Sequence, residues 1–412
     1  MSIGNLLKKL PFAFQVKTLF LFTKQFGVGG EQARVLFKYL TASLFPEKSD
    51  RAHLDKAMNW LTHAQDVKPI DKGVSAAFYL KSGWDVSYPE TSGYILATYL
   101  AYGELTRDPQ YLKRAIASGD WEIEIQAPNG GVYSNPTPGN IRVFNTGQVM
   151  LGWCLLYEQT GQQKYLDATI RAGDYLKGGQ EEDGSWKNDT YSGAKTYEAR
   201  VDWALLRLAQ LSGDNTYQDT AIKNIRWVLS KQRENGWFDH CGFNDDLPIM
   251  HTIIYTLRGL LECELMGEDA LKEFHLLDVV EKSVNRLCDA ANAQFVNGVE
   301  GMMPGGFDEN WNGRITDSCL TGNVQFVSLL YRLSHVVEDN SLYLKTADMV
   351  LSATKKTQIL DSSLYDINGA LAGSFPIYYG YVRDGYPNWA TKFLADALLM
   401  KIGYKQKVMI KA

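Results

Sequence analysis

Two kinds of helical segment alternate along this chain. One kind is amphipathic and ends near a glutamine. After a loop rich in glycine and aromatic residues the second kind begins, and it is apolar on all sides, as over residues 94–100 and 324–330. A helix without a polar face is typical of one that neighbours bury on every side. The pattern therefore predicts hairpins that join one outer, amphipathic helix to one inner, buried helix.

The glutamine that closes the outer helix recurs six times along the chain. Its loop is clearest where Gln180 is followed by Gly184 and Trp186, and where Gln232 is followed by Gly236 and Trp237. Glycine makes the turn, and the glutamine amide is expected to bond the unpaired carbonyls at a helix C-terminus. The six glutamines are Gln65, Gln126, Gln180, Gln232, Gln294 and Gln358.

Six hairpins of this length predict an all-α fold, an (α/α)6 toroid of six helical hairpins. We expect twelve principal helices, with inner helices that begin near residues 90, 145, 197, 250, 320 and 388. The connections from each inner helix to the next outer helix are short and carry an anchoring tyrosine, as at Tyr111, Tyr165, Tyr217 and Tyr343. One face of the ring is then long-looped, and long loops on a rigid scaffold usually carry function.

The repeat leaves no linker at which to divide the chain, so residues 49–405 are interpreted as one catalytic toroid domain and residues 1–48 as an N-terminal helical extension. The extension carries Lys8, Lys9, Lys17 and Lys24 among Leu and Phe. Such a helix packs over the ring or lies at a membrane interface, and both alternatives stay open. The extension shows neither a signal-peptide cleavage site nor a span of bilayer length. We therefore expect a cytoplasmic protein, with membrane association as the alternative.

The composition of the chain limits the classes of molecule that it is expected to bind. A net charge of −5 and a pI near 5.8 argue against general nucleic-acid binding, which needs a basic face. The five cysteines have no CxxC spacing and are interpreted as reduced, buried thiols. We accordingly expect no metal and no cofactor. The 10 Trp and 23 Tyr include several in Gly-rich loops, which suits the faces of sugars or terpenoids.

The starts of the six inner helices carry polar and aromatic residues before apolar runs. Because all six would point their N-termini at one place, their unpaired amides and partial positive charge favour an anionic ligand there. Arg200, Arg314, Arg383 and Lys392 lie in or near these starts and would add to that preference. Capping is the structural alternative for any single polar residue of the set.

The hairpins, the loop with Gln180, Gly184 and Trp186, and the connection from Thr160 to Tyr165 together resemble the six-hairpin glycosidase superfamily. That superfamily includes unsaturated glucuronyl hydrolases and polysaccharide lyases, and the resemblance covers residues from about 50 to 400. The segments 373–381 and 386–393 also resemble proteins found with bacterial exopolysaccharide biosynthesis genes. The resemblance implies a carbohydrate-active enzyme of polysaccharide biosynthesis or modification.

A second resemblance is to the α/α toroids of squalene and hopene cyclases and protein prenyltransferases. The cyclases carry an Asp-x-Asp-Asp motif, whereas the nearest segment here, Asn244, Asp245 and Asp246 after Phe243, lacks the first acid. The prenyltransferases need a zinc site that the cysteine pattern does not supply. A terpenoid cyclase-like toroid is thus the weaker alternative.

The residue types at the inner-helix starts suit proton abstraction from C5 of a uronate, in an epimerase or a lyase acting on an acidic oligo- or polysaccharide. A glycoside hydrolase is the alternative, with its carboxyl pair drawn from Asp85, Glu90, Glu198, Asp245, Asp246, Asp308, Glu309 and Asp317. A non-catalytic glycan-binding protein is a further alternative. The predicted catalytic residues are His251, Tyr197, Glu198 and Tyr381, and the predicted substrate-binding residues are Trp84, Glu90, Asn145, Arg200, Asn323, Arg383 and Trp389.

These residues are expected to surround one pocket on the long-looped face. Alanine at His251 or Arg200 is expected to remove turnover while leaving the fold intact.

Overall fold

Amphipathic and fully apolar helices alternate throughout the computed structural model, which describes residues 48–68, 71–244, 247–362 and 364–405. The extension predicted over residues 1–48 lies outside them, apart from Lys48. The described residues form twelve α-helices, as the repeat predicts: α1 Asp50–Asp66, α2 Pro89–Thr106, α3 Gln110–Glu124, α4 Val143–Thr160, α5 Gln163–Gly178, α6 Ala199–Ser212, α7 Asn215–Leu229, α8 Met250–Leu265, α9 Leu276–Ala293, α10 Leu320–Leu333, α11 Ser341–Lys355 and α12 Asn388–Lys405.

The even-numbered helices form an inner ring and the odd-numbered helices surround it. Each inner helix packs against the inner helices of the neighbouring hairpins, and α12 packs against α10, α2 and the outer helix α1. The ring is therefore closed, and the all-α toroid prediction is confirmed. The inner helices begin within two residues of the predicted positions. The larger shifts are at α4 and at α6, and a 3-10 turn at Thr196–Glu198 precedes α6.

Close approach of the inner helices depends on glycine. A Cβ added to Gly259 of α8 would lie 2.4 Å from the carbonyl carbon of Ala199, and one added to Gly152 of α4 would lie 2.3 Å from the carbonyl oxygen of Gly93. Both distances are far below van der Waals contact, so any larger residue would push the helices apart. These glycines set the narrow diameter of the inner ring.

Five of the six repeated glutamines join neighbouring hairpins, whereas Gln294 bonds within its own loop. Gln126 Nε2 donates to the carbonyl of Gly130 in its own loop at 2.8 Å and to that of Ala168 in α5, the next outer helix, at 3.0 Å. Gln180 and Gln232 make the corresponding bonds to carbonyls in α7 and α9. The expectation that these amides bond unpaired carbonyls at a helix C-terminus is corrected, because their acceptors lie in the loop and inside the following outer helix.

Gln358 makes the same connection where the ring closes. Its amide donates to the carbonyl of Gly369 at 2.7 Å and to that of His53 in α1 at 3.2 Å, and its Oε1 lies 2.6 Å from His53 Nδ1. The sixth repeated glutamine thus joins the last outer helix to the first.

The anchoring tyrosines join the outer helices near the opposite face. The hydroxyl of Tyr165 in α5 donates to Asp120 of α3 at 2.8 Å, and that of Tyr217 in α7 donates to Asp174 of α5 at 2.9 Å. Each bond links one outer helix to the outer helix before it. The glutamines and tyrosines therefore hold the outer ring together from both faces.

The loops among the described residues contain five very short strands: β1 Ala77–Tyr79, β2 Gly83–Trp84, β3 Ser318–Cys319, β4 Ser374–Phe375 and β5 Gly385–Pro387. Antiparallel pairing gives the order β2-β1-β5, with Phe78 opposite both Trp84 and Tyr386. A separate pair joins β3 to β4. The first sheet ties the loop before α2 to the loop before α12, and so fixes the loops across the closure of the ring.

All five cysteines are buried and unpaired, and burial raises the pKa of thiols such as Cys154 and Cys319 to about 12. Thiols in this state are protonated and unreactive at neutral pH. Within the described ranges no group of His, Cys, Asp and Glu has the arrangement of a metal site. None of the helices in these ranges combines the length and apolar character needed to cross a membrane.

Candidate functional site

The second residues of four inner helices line one cavity of about 420 Å³ at the long-looped face, which we call the long-loop cavity. Because α2, α4, α8 and α12 all begin at this face, Glu90, Phe144, His251 and Trp389 converge there. The other lining residues come from the sixth positions of α2 and α8 and from the loops: Tyr88, Tyr94, Tyr191, Phe243, Asn244, Tyr255, Tyr381 and Val382.

Glu90 is the only carboxyl group among the described lining residues of this cavity. Its Oε2 accepts hydrogen bonds from the hydroxyls of Tyr88 at 3.0 Å and Tyr191 at 3.5 Å, and those hydroxyls lie 2.7 Å apart. Burial raises the pKa of Glu90 to about 7, against the opposing effects of the Tyr88 bond, the charge of Arg200 and the Tyr191 bond. Both protonation states of Glu90 are therefore accessible near neutral pH, as a general acid or base requires.

His251 is held in one orientation. Its Nδ1 lies 2.8 Å from Oε1 of Gln325, the sixth residue of α10. Since an amide oxygen only accepts, Nδ1 carries the proton and Nε2 keeps its lone pair. Burial, together with the charge of Arg200 and against the Gln325 bond, lowers the pKa of His251 to about 3. The imidazole is neutral at physiological pH and can accept a hydrogen bond from a sugar hydroxyl.

Tyr381 stands beside His251, with ring centroids 5.3 Å apart, and also neighbours Trp389 at 6.3 Å. Burial raises its pKa well above the ordinary value. The Tyr381 hydroxyl therefore stays protonated at neutral pH. If it donates a proton to a substrate, it must take up another proton before the next turnover. The predicted residues Glu90, His251, Tyr381 and Trp389 are thus brought together in one cavity.

Tyr197 and Glu198 lie outside the lining of that cavity. Tyr197 is fully buried and its ring packs edge-on against Phe144, which does line it. The Glu198 carboxyl is buried without a hydrogen-bond partner, and burial together with the charge of Glu90 raises its pKa well above the ordinary value. The predicted catalytic role of Glu198 stays a prediction without a contact to support it.

Arg200 does not line the long-loop cavity, which corrects its predicted place at the mouth. It is the second residue of α6, but its guanidinium lies 5.1 Å from the centre of the Tyr255 ring. The guanidinium lines a separate chamber of about 290 Å³. Lys392 of α12 lies in the same way 5.0 Å from the Tyr94 ring. We call Arg200 and Lys392 the cation layer, because they place positive charge against two tyrosines that line the long-loop cavity.

Four other predicted binding residues lie elsewhere. Asn145 is buried and accepts from the Tyr191 hydroxyl at 3.4 Å, so it contacts a lining residue without lining the cavity. The Asn323 amide donates to the hydroxyls of Ser318 at 3.2 Å and Thr354 at 3.4 Å, within the helix packing. Asn145 therefore reaches the cavity only through Tyr191, and Asn323 belongs to the helix packing.

Trp84 and Arg383 are also corrected. The indole of Trp84 donates to Asp366 at 2.9 Å and packs on Trp60 of α1. The side chain of Arg383 is 56% exposed and lies 3.6 Å from Asp384. Neither residue lines the cavity, because Trp84 belongs to the sheet at the ring closure and Arg383 points to solvent.

Several lining residues escaped the sequence-based prediction. Tyr94 and Tyr255 each follow a predicted residue by one helical turn, so the 3.6-residue period could have indicated them. Tyr191 lies in the loop before α6, and its approach to Glu90 from 101 residues away has no local signal. It is the ring closure that brings these side chains together.

A second cavity of about 550 Å³ adjoins the long-loop cavity and shares Phe243, Asn244 and Tyr381 with it. Its carboxyl group among the described residues is Asp317, which pairs with Arg314 at 2.7 Å. The candidate acids Asp245 and Asp246 follow Asn244 but lie outside the described residues. The two cavities are therefore neighbours that share part of their walls.

Three solved structures to which the chain is similar carry the names of carbohydrate enzymes. The chain is similar to an unsaturated glucuronyl hydrolase specific for heparin, with a TM-score of 0.66 and 14% identity over 87% of this chain and 98% of that one. It is similar to a sugar epimerase from a ruminal bacterium, with a TM-score of 0.65 and 14% identity over 85% and 98%. It is similar to a polysaccharide lyase, with a TM-score of 0.63 and 11% identity over 88% and 99%.

No protein-family model matches the sequence, and no curated protein matches it. The identities with the solved structures are low, so these likenesses establish the toroid fold and leave the reaction to be argued from the cavity itself.

Proposed function

We propose that this protein acts on an acidic, uronate-containing glycan and abstracts the proton from C5 of the uronate, as an epimerase or a lyase. The observation that carries the proposal is Glu90, a carboxyl in the long-loop cavity with a pKa raised to about 7 and hydrogen bonds from Tyr88 and Tyr191. The names of the similar structures, a glucuronyl hydrolase, a polysaccharide lyase and a sugar epimerase, support this class of substrate.

Ionised Glu90 is the base in this proposal. The C5–H bond breaks, its proton moves to a Glu90 oxygen, and its electron pair delocalises into the uronate carboxyl group. In an epimerase a proton returns to C5 from the opposite face, and Tyr381 is the donor we assign. In a lyase the C4–O4 bond breaks instead, C4 and C5 become doubly bonded, and the leaving oxygen takes a proton from the same side of the cavity.

The cavity offers two sources of stabilisation for the negative charge that develops on the uronate carboxyl. Four inner helices begin at it, and each helix start carries partial positive charge. The cation layer adds Arg200 and Lys392 behind the rings of Tyr255 and Tyr94. Preorganised charge of this kind acts strongly in a site from which water is excluded.

His251 has a different role from the predicted one. With a pKa near 3 it is too weak a base to take a C5 proton at neutral pH, whereas Glu90 is matched to that task. We assign His251 to orientation: its Nε2 accepts from a sugar hydroxyl while Gln325 fixes the ring. Alanine at His251 would also leave Gln325 without its partner inside the protein, so such a variant loses stability as well as activity.

The test is incorporation of deuterium at C5. Purified protein is incubated in D₂O with uronate oligosaccharides, and loss of the C5 proton signal is followed by NMR. Glu90→Gln keeps the shape of the side chain and removes the base, so we expect exchange to fall by about 10²–10⁴-fold. Glu124→Gln, at an exposed position at the end of α3, is the matched control and should exchange at the parent rate.

The alternatives give other outcomes in the same tubes. Release of reducing ends without deuterium at C5 would mean hydrolysis, with Glu90 as the general acid. Binding without either reaction would mean a glycan-binding protein. Exchange that persists in Glu90→Gln would refute the assignment of the base even if the reaction class is right.

We further propose that the setting is exopolysaccharide assembly in the cytoplasm. The resemblance of segments 373–381 and 386–393 supports the first part, and the second rests on the sequence pattern of residues 1–48, whose role at a membrane interface is likewise a proposal. Glycosyltransferase and polymerase genes beside this gene would support the setting. Neighbouring isoprenoid genes would favour the terpenoid alternative instead.

A further inference from the structure

A second chamber, of about 290 Å³, lies on the other side of the ring from the long-loop cavity. Its rim includes Met266, His335 and Val336, which lie one to three residues beyond the C-terminal ends of α8 and α10. Those ends belong to the short-looped face, and Val336 there is 41% exposed. We call this space the short-loop chamber. Tyr94 lines both spaces, so its ring is part of the wall between them.

Basic side chains dominate the walls of this chamber and the contacts behind them. The carboxylates of the cluster are already in ion pairs: Glu262 with Arg258 and Arg332, Asp396 with Lys392, and Glu158 with Arg207. With Arg200 the cluster holds five cationic side chains against these three carboxylates. Burial raises the pKa of Glu90, and the charge of Arg200 opposes that rise, so the two groups interact. If ionised Glu90 is counted with the carboxylates of the cluster, one positive charge is still in excess.

Arg200 is the cation without a carboxylate. Its Nε donates to Oε1 of Gln148 at 2.7 Å, and within the described ranges it has no ion pair. Only 5% of the residue is exposed. A buried guanidinium normally has an anionic partner, since burial without one is costly. Burial, with the charges of Arg200 and Arg258 and against the pairing with Asp396, lowers the pKa of the neighbouring Lys392 to about 8.

We propose that the short-loop chamber binds a phosphate group, either as free phosphate or as the phosphoryl end of a small ester, with Arg200 as its central contact. The phosphate supplies the negative charge that the cluster lacks, and guanidinium groups match phosphate oxygens in geometry. Leu151, Leu155 and Trp203 form an apolar side of the chamber, which suits the organic part of an ester. The chamber shares Tyr94 and the charge of Arg200 with the long-loop cavity, but the proposal does not depend on the function proposed for that cavity.

Isothermal titration calorimetry with the full chain tests the proposal. Inorganic phosphate and phenyl phosphate are titrated at constant ionic strength, with chloride as the reference anion. We expect saturable binding of at least one phosphate probe. Arg200→Gln should weaken it by about tenfold or more, since it removes a charge-assisted contact. Arg226→Gln, at an exposed ion pair on the outer helix α7, is the matched control and should bind like the parent.

A second variant guards against misfolding of Arg200→Gln. Val336→Trp narrows the opening of the chamber, keeps every charge and changes an exposed position. It should also weaken binding, whereas Val86→Trp, an exposed valine before α2 on the long-looped face, should not. Tighter binding of phenyl phosphate than of phosphate identifies an organic ester as the source, and the reverse identifies free phosphate. Absence of saturable binding of both probes, or binding unchanged in both Arg200→Gln and Val336→Trp, would overturn the proposal.

Discussion

Glu90 shows how a single residue can favour reactivity at the expense of stability. Its folded-state pKa of about 7 lies above the ordinary value of 4.5, mainly because it is buried. The folded protein therefore binds a proton that the unfolded chain releases. The contribution of Glu90 to stability is fully present below about pH 4.5 and is lost as the pH rises through about 7.

Glu90→Gln should accordingly stabilise the protein at high pH. One pKa unit corresponds to about 1.4 kcal/mol, so the ionised side chain costs roughly 3 kcal/mol near pH 8 and less than about 1 kcal/mol near pH 5. Urea unfolding of the variant and the parent at both pH values measures the difference. Glu124→Gln should show no such pH dependence. Equal stability of Glu90→Gln and parent near pH 8 would mean that the Glu90 carboxyl is not desolvated.

The direction of the pH–rate profile separates the two roles of Glu90. If Glu90 is the base, kcat/KM for C5 exchange rises as the pH passes through about 7, because only the ionised form accepts a proton. A general acid with the same pKa would give the opposite slope. The profile is measured by NMR across neutral pH, and a flat profile through pH 7 would contradict both roles.

At the scale of the helices, much of the site follows from register. The second residues of α2, α8 and α12 were predicted from polar or aromatic identity, and all three line the cavity. Phe144 occupies the same position in α4 but was not predicted as a site residue, since an apolar side chain there carries no chemical signal. Arg200 shares the register too, yet the side of the ring that its long side chain reaches is decided by packing against Tyr255.

Two contacts between inner helices each join the second residue of one helix to the sixth residue of a neighbour, and neither could be predicted from the sequence. Arg200, second in α6, donates to Gln148, sixth in α4, and His251, second in α8, contacts Gln325, sixth in α10. The sequence shows the glutamines but not the rotation of each helix about its axis. That rotation depends on inner-ring contacts such as the one at Gly259. Helix positions were therefore predictable, and side-chain partners were not.

Replacement of Gln358, the glutamine at the closure of the ring, should destabilise the protein. Gln358→Ala removes the bonds to the carbonyls of His53 and Gly369 and the partner of His53 Nδ1. Because these groups are buried, we expect a loss of about 2–4 kcal/mol in the free energy of unfolding, measured with urea. Gln163→Ala, whose bond to Asp167 is exposed, should change it by less than about 0.5 kcal/mol. A similar loss in both variants would show that the join contributes nothing specific.

At the scale of the whole molecule, the closed ring has an opening on each face, and the two openings differ in the chemical groups that line them. The long-loop cavity combines one carboxyl group, tyrosines and a neutral histidine, whereas the short-loop chamber carries excess positive charge. Tyr94 belongs to both walls, with Lys392 against its ring. The sixfold spacing predicted the ring, but it carried no information on the short-loop chamber, whose lining, apart from Arg200 in the first turn of α6, comes from the middle and C-terminal parts of the inner helices.

A closed ring also has no free end, and this predicts how it opens. In an open solenoid the terminal repeats have one neighbour and exchange their amide hydrogens first. Here α1 packs on α12, and Gln358 ties α1 to the last outer helix. Amides in the middle of α1 and α12 should therefore exchange within about tenfold of those in α6 and α8, through the same cooperative opening.

Native-state hydrogen exchange by mass spectrometry measures this directly. Gln358→Ala provides the comparison, because it weakens the join between the first and last outer helices while leaving the other five glutamines in place. In that variant the protection of α1 should fall ahead of that of α6. If the parent protein already exchanges α1 or α12 far faster than the central helices, those elements open independently, and the ring behaves in solution as an array with ends.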